Sequence, residues 1–135
     1  MNFSHTCSTR IRYGETDQMG VVYHGNYPQF LEMGRTELLR VKGVSYKEME
    51  DAGIMLPVIS LNIEYKKSAF YDDIIYIKTN LHEKPTVKIT FDYEITNEHG
   101  ELLTKATVVL AFMSKTSRKL MRCPKDILEK LGYPL

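Results

Sequence analysis

A chain of 135 residues has room for one domain, residues 1–135, around a single core, and no internal repeat or low-complexity run divides it. Its 18 Lys and Arg balance 17 Asp and Glu, so no overall field favours nonspecific nucleic-acid or membrane binding, and any anion site has to be local. The longest apolar run, residues 108–113, is far shorter than the roughly 20 residues of a membrane span. The start, Met1-Asn2-Phe3-Ser4-His5, lacks the apolar core of a signal peptide, so a cytoplasmic protein is expected. Cys7 and Cys123 have neither metal-ligand nor CxxC spacing, which predicts two free thiols and no metal site.

Residues 8–13 read as a short strand, ended by the turn-forming stretch 14–20. From 26 to 41 the positions Tyr27, Phe30, Leu31, Gly34, Leu38 and Val41 recur at helical spacing. Asn26 is the predicted N-cap, Pro28 is tolerated in the first turn, and Gly43 closes the helix. Gly34 costs about 1 kcal/mol relative to Ala inside a helix, which predicts a close approach to a neighbouring backbone. Residues 45–52 form a second helix, capped by Ser45 with Glu48 three residues on and stopped by Gly53.

Strands follow. Leu61, Ile63 and Tyr65 alternate with Asn62, Glu64 and Lys66, and Val87, Ile89, Phe91, Tyr93 and Ile95 alternate with polar residues, so one face of each is expected to be buried. Residues 73–81 add a strand, and 106–113, apolar on nearly both faces, suit an interior one. Asn97-Glu98-His99-Gly100 supplies a hairpin turn, and residues 124–131 a last short helix with Pro at its start and Gly132 after it. The order predicts an α+β domain with a long helix packed on a mostly antiparallel sheet. One helix cannot cover so large a sheet, and pairing across a dimer is the expected remedy.

The segment 10–27 carries the chemistry. Arg10-Ile11, Thr16-Asp17, Gly20-Val21-Val22, His24 and Tyr27, at these spacings, resemble the active-site signature of the 4-hydroxybenzoyl-CoA thioesterase family of the hotdog-fold superfamily. Glu32 and Arg35 resemble that family's Glu-x-x-Arg element. The resemblance implies the hotdog fold and hydrolysis of a short-chain or aromatic acyl-CoA to free acid and CoA. It implies no cofactor, coenzyme A being part of the substrate, and a homodimer or homotetramer in which catalytic and nucleotide-binding residues come from different subunits.

A thioester carbonyl gains negative charge on oxygen when attacked, so the site needs donors aimed at that oxygen and a nucleophile or base beside the carbon. A central helix starting between Gly20 and Asn26 offers unpaired backbone N–H groups around Val22 to His24. Asp17 is then the nucleophile, or the general base acting through water. Taken alone, Thr-Asp followed by Gly is ordinary Asx-turn chemistry, and only the surrounding signature raises Asp17 to a catalytic residue. His24 is a candidate to hold water, orient Asp17 or protonate the leaving thiolate, against a plain helix-start role. Tyr13 and Tyr23 complete the catalytic candidates, although Tyr13 reads equally well as a buried strand aromatic.

Substrate contacts are assigned to Val22, Asn26 and Tyr27 at the helix start. Tyr23, Tyr27, Phe30 and Met33 either line the acyl pocket or belong to the core. Lys66 with Lys67, and Lys115 with Arg118 and Lys119, are the cation clusters for CoA phosphates, or else solvated strand-end cations. Glu32 and Arg35 form a helix-surface ion pair in the structural reading. An acyl-CoA, or an acyl carrier protein thioester, is the expected partner. Two rivals remain: a noncatalytic acyl-thioester sensor, and a hotdog 3-hydroxyacyl-thioester dehydratase, whose usual helix-start motif is absent around His24.

Overall fold

The computed structural model describes residues 2–135. In chain order the elements are β1 (Phe3–Arg10), α1 (Tyr27–Val41), α2 (Tyr46–Asp51), β2 (Ile54–Met55), β3 (Val58–Tyr65), β4 (Ile74–Leu81), β5 (Lys88–Asn97), β6 (Leu102–Ala111), β7 (Met113–Ser114) and α3 (Lys125–Leu131). Single 3-10 turns at Tyr13–Glu15 and His24–Asn26 fill the stretch between β1 and α1. Five strands form one antiparallel sheet in the order β1-β4-β5-β6-β3, and β2 and β7 pair separately, a ladder the sequence did not announce.

The period-2 pattern of β5 buries Ile89, Phe91, Tyr93 and Ile95 against the long helix, as expected. The helix contributes Tyr27, Phe30, Leu31, Leu38 and Leu39 to the same core. Ser45 Oγ accepts the Glu48 amide at the start of α2. Gly100 takes a left-handed φ of 76° in the β5–β6 turn, where the Asn97 side chain accepts the amides of His99 and Glu101.

Several expectations need correction. The first strand is Phe3–Arg10 rather than 8–13. Its outward residues are Ser4, Thr6, Ser8 and Arg10, and its inward ones include His5 and Thr9, so hydrophobic alternation is too weak to mark it. Asn26 stands at the N-cap position, but its side chain does not cap. The turn before it already holds Asn26 in helical φ/ψ, and the amide instead donates to the Glu15 carbonyl at 2.8 Å.

Gly34 does press the helix onto the sheet, yet the neighbours are side chains of β4 and β5 rather than backbone. An added Cβ would collide with Thr79 Oγ1, lie 2.8 Å from Ile77 Cγ2 and 3.3 Å from Tyr93 Cε1. Glu32 and Arg35 form no ion pair: Glu32 is exposed, whereas Arg35 is only 7% exposed and donates from Nε to the Tyr46 hydroxyl at 3.2 Å. Neither face of β3 is buried. Alternation cannot tell an interior strand from an edge, and α1 lies over β1 and β4 at the other side of the sheet. Val58, Ile59, Leu61 and Tyr65 remain 44–49% exposed.

Candidate active site

The loop after β1 folds back on itself. Asp17 N–H donates to the Val21 carbonyl, Gly20 N–H to the Asp17 carbonyl, and Thr16 bridges Val22, so residues 16–22 make a tight hairpin. Gly20 takes a φ of 81°, left-handed geometry that a residue with a Cβ adopts at a penalty. Val22 N–H donates to the Ala69 carbonyl and Val21 bridges Phe70, which pins the hairpin to the segment joining β3 to β4. The Glu15 carbonyl accepts from both Tyr23 N–H and the Asn26 side chain, drawing the start of α1 against the loop.

A cavity of about 200 Å³ opens at this junction, lined by Asp17, Val22, His24, Tyr27, Tyr65 and Lys66, with Met19, Val21, Lys67 and Ser68 completing the wall. Asp17 is half-buried, and its Oδ1 accepts the Met19 amide at 2.9 Å while Oδ2 has no protein partner among the described residues. The Asx-turn role therefore engages one carboxylate oxygen only, which orients the side chain, and leaves the other without a protein partner among the described residues.

The predicted oxyanion donors need revision. The amides of Val22 and Tyr23 are committed to Ala69 and Glu15, because the hairpin and not the helix occupies that stretch. Of the amides of residues 22–26, those of His24 and Gly25, in the turn immediately before α1, are the two with no backbone acceptor among the described residues. The Tyr23 ring covers Gly25, where a Cβ would come within 2.5 Å of it, and sits 4.5 Å from the His24 ring.

The cavity gathers Asp17, Val22, His24, Tyr27, Lys66 and Lys67 from the sequence-derived candidates and leaves the others outside. Tyr13 is 78% exposed, edge-on to Tyr71 at 5.7 Å, because a 3-10 turn replaces the strand that would have buried it. Tyr23 is 47% exposed beside the wall, and Asn26 acts as a clasp. Phe30 is core and Met33 faces outward. Lys115 and Arg118 stand apart from Asp17 within the chain. The β2–β7 ladder carries Lys115 to a different cleft of about 400 Å³, where it accompanies Tyr46, Met49, Ile54, Met55 and Pro57. Lys66 and Lys67 are each already paired, with Glu64 at 3.3 Å and Glu101 at 2.6 Å.

Tyr65 was missed as a site residue. It is the last residue of β3, its hydroxyl donates to the His24 carbonyl at 3.0 Å, and its ring stands edge-on to Tyr27 at 5.2 Å. Its position directly before the Lys66-Lys67 pair was the available signal. Burial raises the pKa of both the Tyr65 and Tyr27 hydroxyls, so both stay protonated at neutral pH.

A long helix packed on one face of a five-stranded antiparallel sheet, with a carboxylate loop at the helix start, defines the hotdog class of thioesterase-like proteins. The chain belongs to the thioesterase-like superfamily, whose profile matches residues 11–131. It is 41% identical over 109 residues to YneP of Bacillus subtilis, covering 81% of this chain and 79% of that one. It is 31% identical over 119 residues to the acyl-CoA thioester hydrolase YbgC of Escherichia coli, covering 88% and 89%. A DHNA-CoA thioesterase from Staphylococcus aureus superposes with a TM-score of 0.91 at 36% identity, covering 96% of this chain and 89% of that one.

Proposed function

We propose that the chain is an acyl-CoA thioesterase releasing a free acid and CoA, with Asp17 as the reactive group. The observation that carries this is the Asp17 carboxylate itself, half-buried in the wall of a cavity it shares with His24, fixed by the Met19 amide through one oxygen and open at the other. Support for the reaction comes from the names of YbgC and the Staphylococcus aureus enzyme, each of which acts on a CoA thioester. A short-chain or aromatic acyl group fits a cavity of this size, on CoA or on acyl carrier protein.

Two routes use the same atoms. In direct attack, an Asp17 oxygen bonds to the thioester carbon, the C–S bond breaks, and the thiolate leaves and takes a proton; water then cleaves the mixed anhydride and restores the carboxylate. In the base route, Asp17 takes a proton from water as its oxygen attacks, and that proton passes to the departing thiolate. In both, the His24 and Gly25 amides are the donors for the developing oxyanion. His24 is the candidate proton carrier to sulfur.

The working unit in this reading is a homodimer or homotetramer. The apolar residues of the open edge strand β3 support it, since an uncovered edge of this kind invites antiparallel pairing with a second copy. Such pairing would set the Tyr65 end of one β3 beside the Val58 end of the other, and so bring Lys115 and Arg118 of the second copy toward the first copy's Asp17 cavity. The cytoplasm is the proposed compartment. Among the described residues no helix is long and apolar enough to cross a membrane.

The test is a hydrolysis screen over aliphatic and aromatic acyl-CoAs, following free CoA with a thiol reagent. Turnover with release of CoA supports the proposal. Binding without release would mark a sensor, and a changed acyl group still attached to CoA would mark a dehydratase.

A further inference from the structure

Lys67 belongs to two cavities at once. It lines the Asp17 cavity and, with Ser68, also lines a second groove of about 510 Å³ that continues toward Phe70, His99 and Glu101. Its backbone is fixed at the exit of β3, where the amides of Lys66 and Lys67 both donate to the Leu103 carbonyl. A phosphate-bearing substrate tail that left the Asp17 cavity along this groove would pass that ammonium.

That ammonium is occupied. Lys67 Nζ donates to Glu101 Oε2 at 2.6 Å, and Glu101 is itself anchored to the β5–β6 turn. Asn97 Nδ2 donates to Glu101 Oε1 at 3.1 Å, and the Glu101 amide donates back to Asn97 Oδ1 at 3.0 Å. These bonds, that from Lys67 foremost, hold the Glu101 carboxyl below the ordinary carboxylate range, so it is anionic wherever the reaction would run. The neighbouring Lys66 is also paired, with Glu64 of the strand it follows. The two lysines at the mouth thus offer little net positive charge until one of the pairs opens.

We propose that Glu101 is a specificity-determining residue, an internal anion that holds Lys67 and must be displaced by the phosphates of a CoA-borne substrate. The inference rests on the thioesterase reading above and names the group that tunes its preference for charged carriers. Glu101 touches no reacting atom; it sets how strongly Lys67 attracts a phosphate. A carrier without phosphates gains nothing from opening the pair and is indifferent to Glu101.

The experiment compares the parent, Glu101→Gln, Lys67→Met and the double variant, each checked for folding by thermal melting. One acyl group is presented on CoA and on N-acetylcysteamine, which keeps the thioester but has no phosphate. Glu101→Gln retains the size and the acceptor for Asn97. It is expected to lower KM for the acyl-CoA by roughly two- to fivefold, the scale of an exposed ion pair, with kcat unchanged. KM for the truncated thioester should stay at the parent value, and Glu101→Gln should have no effect in the Lys67→Met background. An acyl-CoA KM that is unchanged or raised, equal shifts with both thioesters, or an effect that survives Lys67→Met each overturns the proposal. Should the parent release no CoA from any thioester, the thioesterase reading fails separately. Calorimetric titration with CoA then makes the same comparison: tighter binding to Glu101→Gln only when Lys67 is present supports the proposal, and equal binding, or none, overturns it.

Discussion

The Tyr65 hydroxyl donates to the carbonyl oxygen of His24 at 3.0 Å, which ties the last residue of the edge strand to the turn that launches α1. In the proposed mechanism the His24 and Gly25 amides of that turn are the oxyanion donors, and this bond restrains the same turn through its carbonyl. Tyr65→Phe removes it and leaves the packing on Tyr27. Stability should fall by about 0.5–1.5 kcal/mol, and kcat should fall more than KM rises, since a loosened donor is felt most in the transition state. Urea unfolding and steady-state kinetics check both, and unchanged kcat would reduce the bond to a surface contact.

Gly34 is set by space and not by backbone freedom. The methyl of Gly34→Ala would meet Thr79 and Ile77, so the strain, about 1–3 kcal/mol, should outweigh the gain of about 1 kcal/mol in helix propensity. A denaturant midpoint at or above the parent value would show that α1 can lift without penalty.

The edge strand gives a prediction about assembly. Leu61 is 44% exposed in the single chain, so Leu61→Lys should not unfold a protomer. If two copies pair along β3, it should convert the dimer seen by sedimentation into a monomer and lower activity in parallel. A variant that stays dimeric and fully active would move the interface elsewhere.

Thiol chemistry bears on how the reaction is followed. Burial, with Asp126 nearby, pushes the Cys123 thiol up to about 12, and burial together with Glu37 raises that of Cys7. Cys123 is therefore almost wholly in the thiol form at pH 8. The native protein should react with an aromatic disulfide reagent far more slowly than free CoA does, and two thiols should become reactive in urea. Rapid titration of both in the native state would contradict this burial.

Much of the architecture was written in local pattern. The spacing of Tyr27, Phe30, Leu31, Gly34 and Leu38 marked α1, strict alternation marked β5, and Asn97 to Gly100 marked its hairpin turn. What failed was whatever depends on neighbours far along the chain. β1 hides behind outward Ser and Thr, and β3 has the alternation of a buried strand but lies at an edge. The signature residues Asp17 and His24 do share one cavity, because a hairpin followed by a helix start is a local arrangement. Tyr65, the pairing of Lys67 with Glu101, and the removal of Lys115 to another cleft arise from strand order, which periodicity does not encode.

The central claim is that the free oxygen of Asp17 does the chemistry, and Asp17→Asn addresses it most directly. Asparagine keeps the size and a carbonyl oxygen for the Met19 amide, so the turn should survive, while the reactive carboxylate is lost. With the acyl-CoA that the parent hydrolyses best, kcat should fall by about a hundredfold or more while CoA binding and the thermal midpoint stay close to the parent. A folded Asp17→Asn protein that binds CoA and hydrolyses at near the parent rate would contradict the account and leave Asp17 a turn residue.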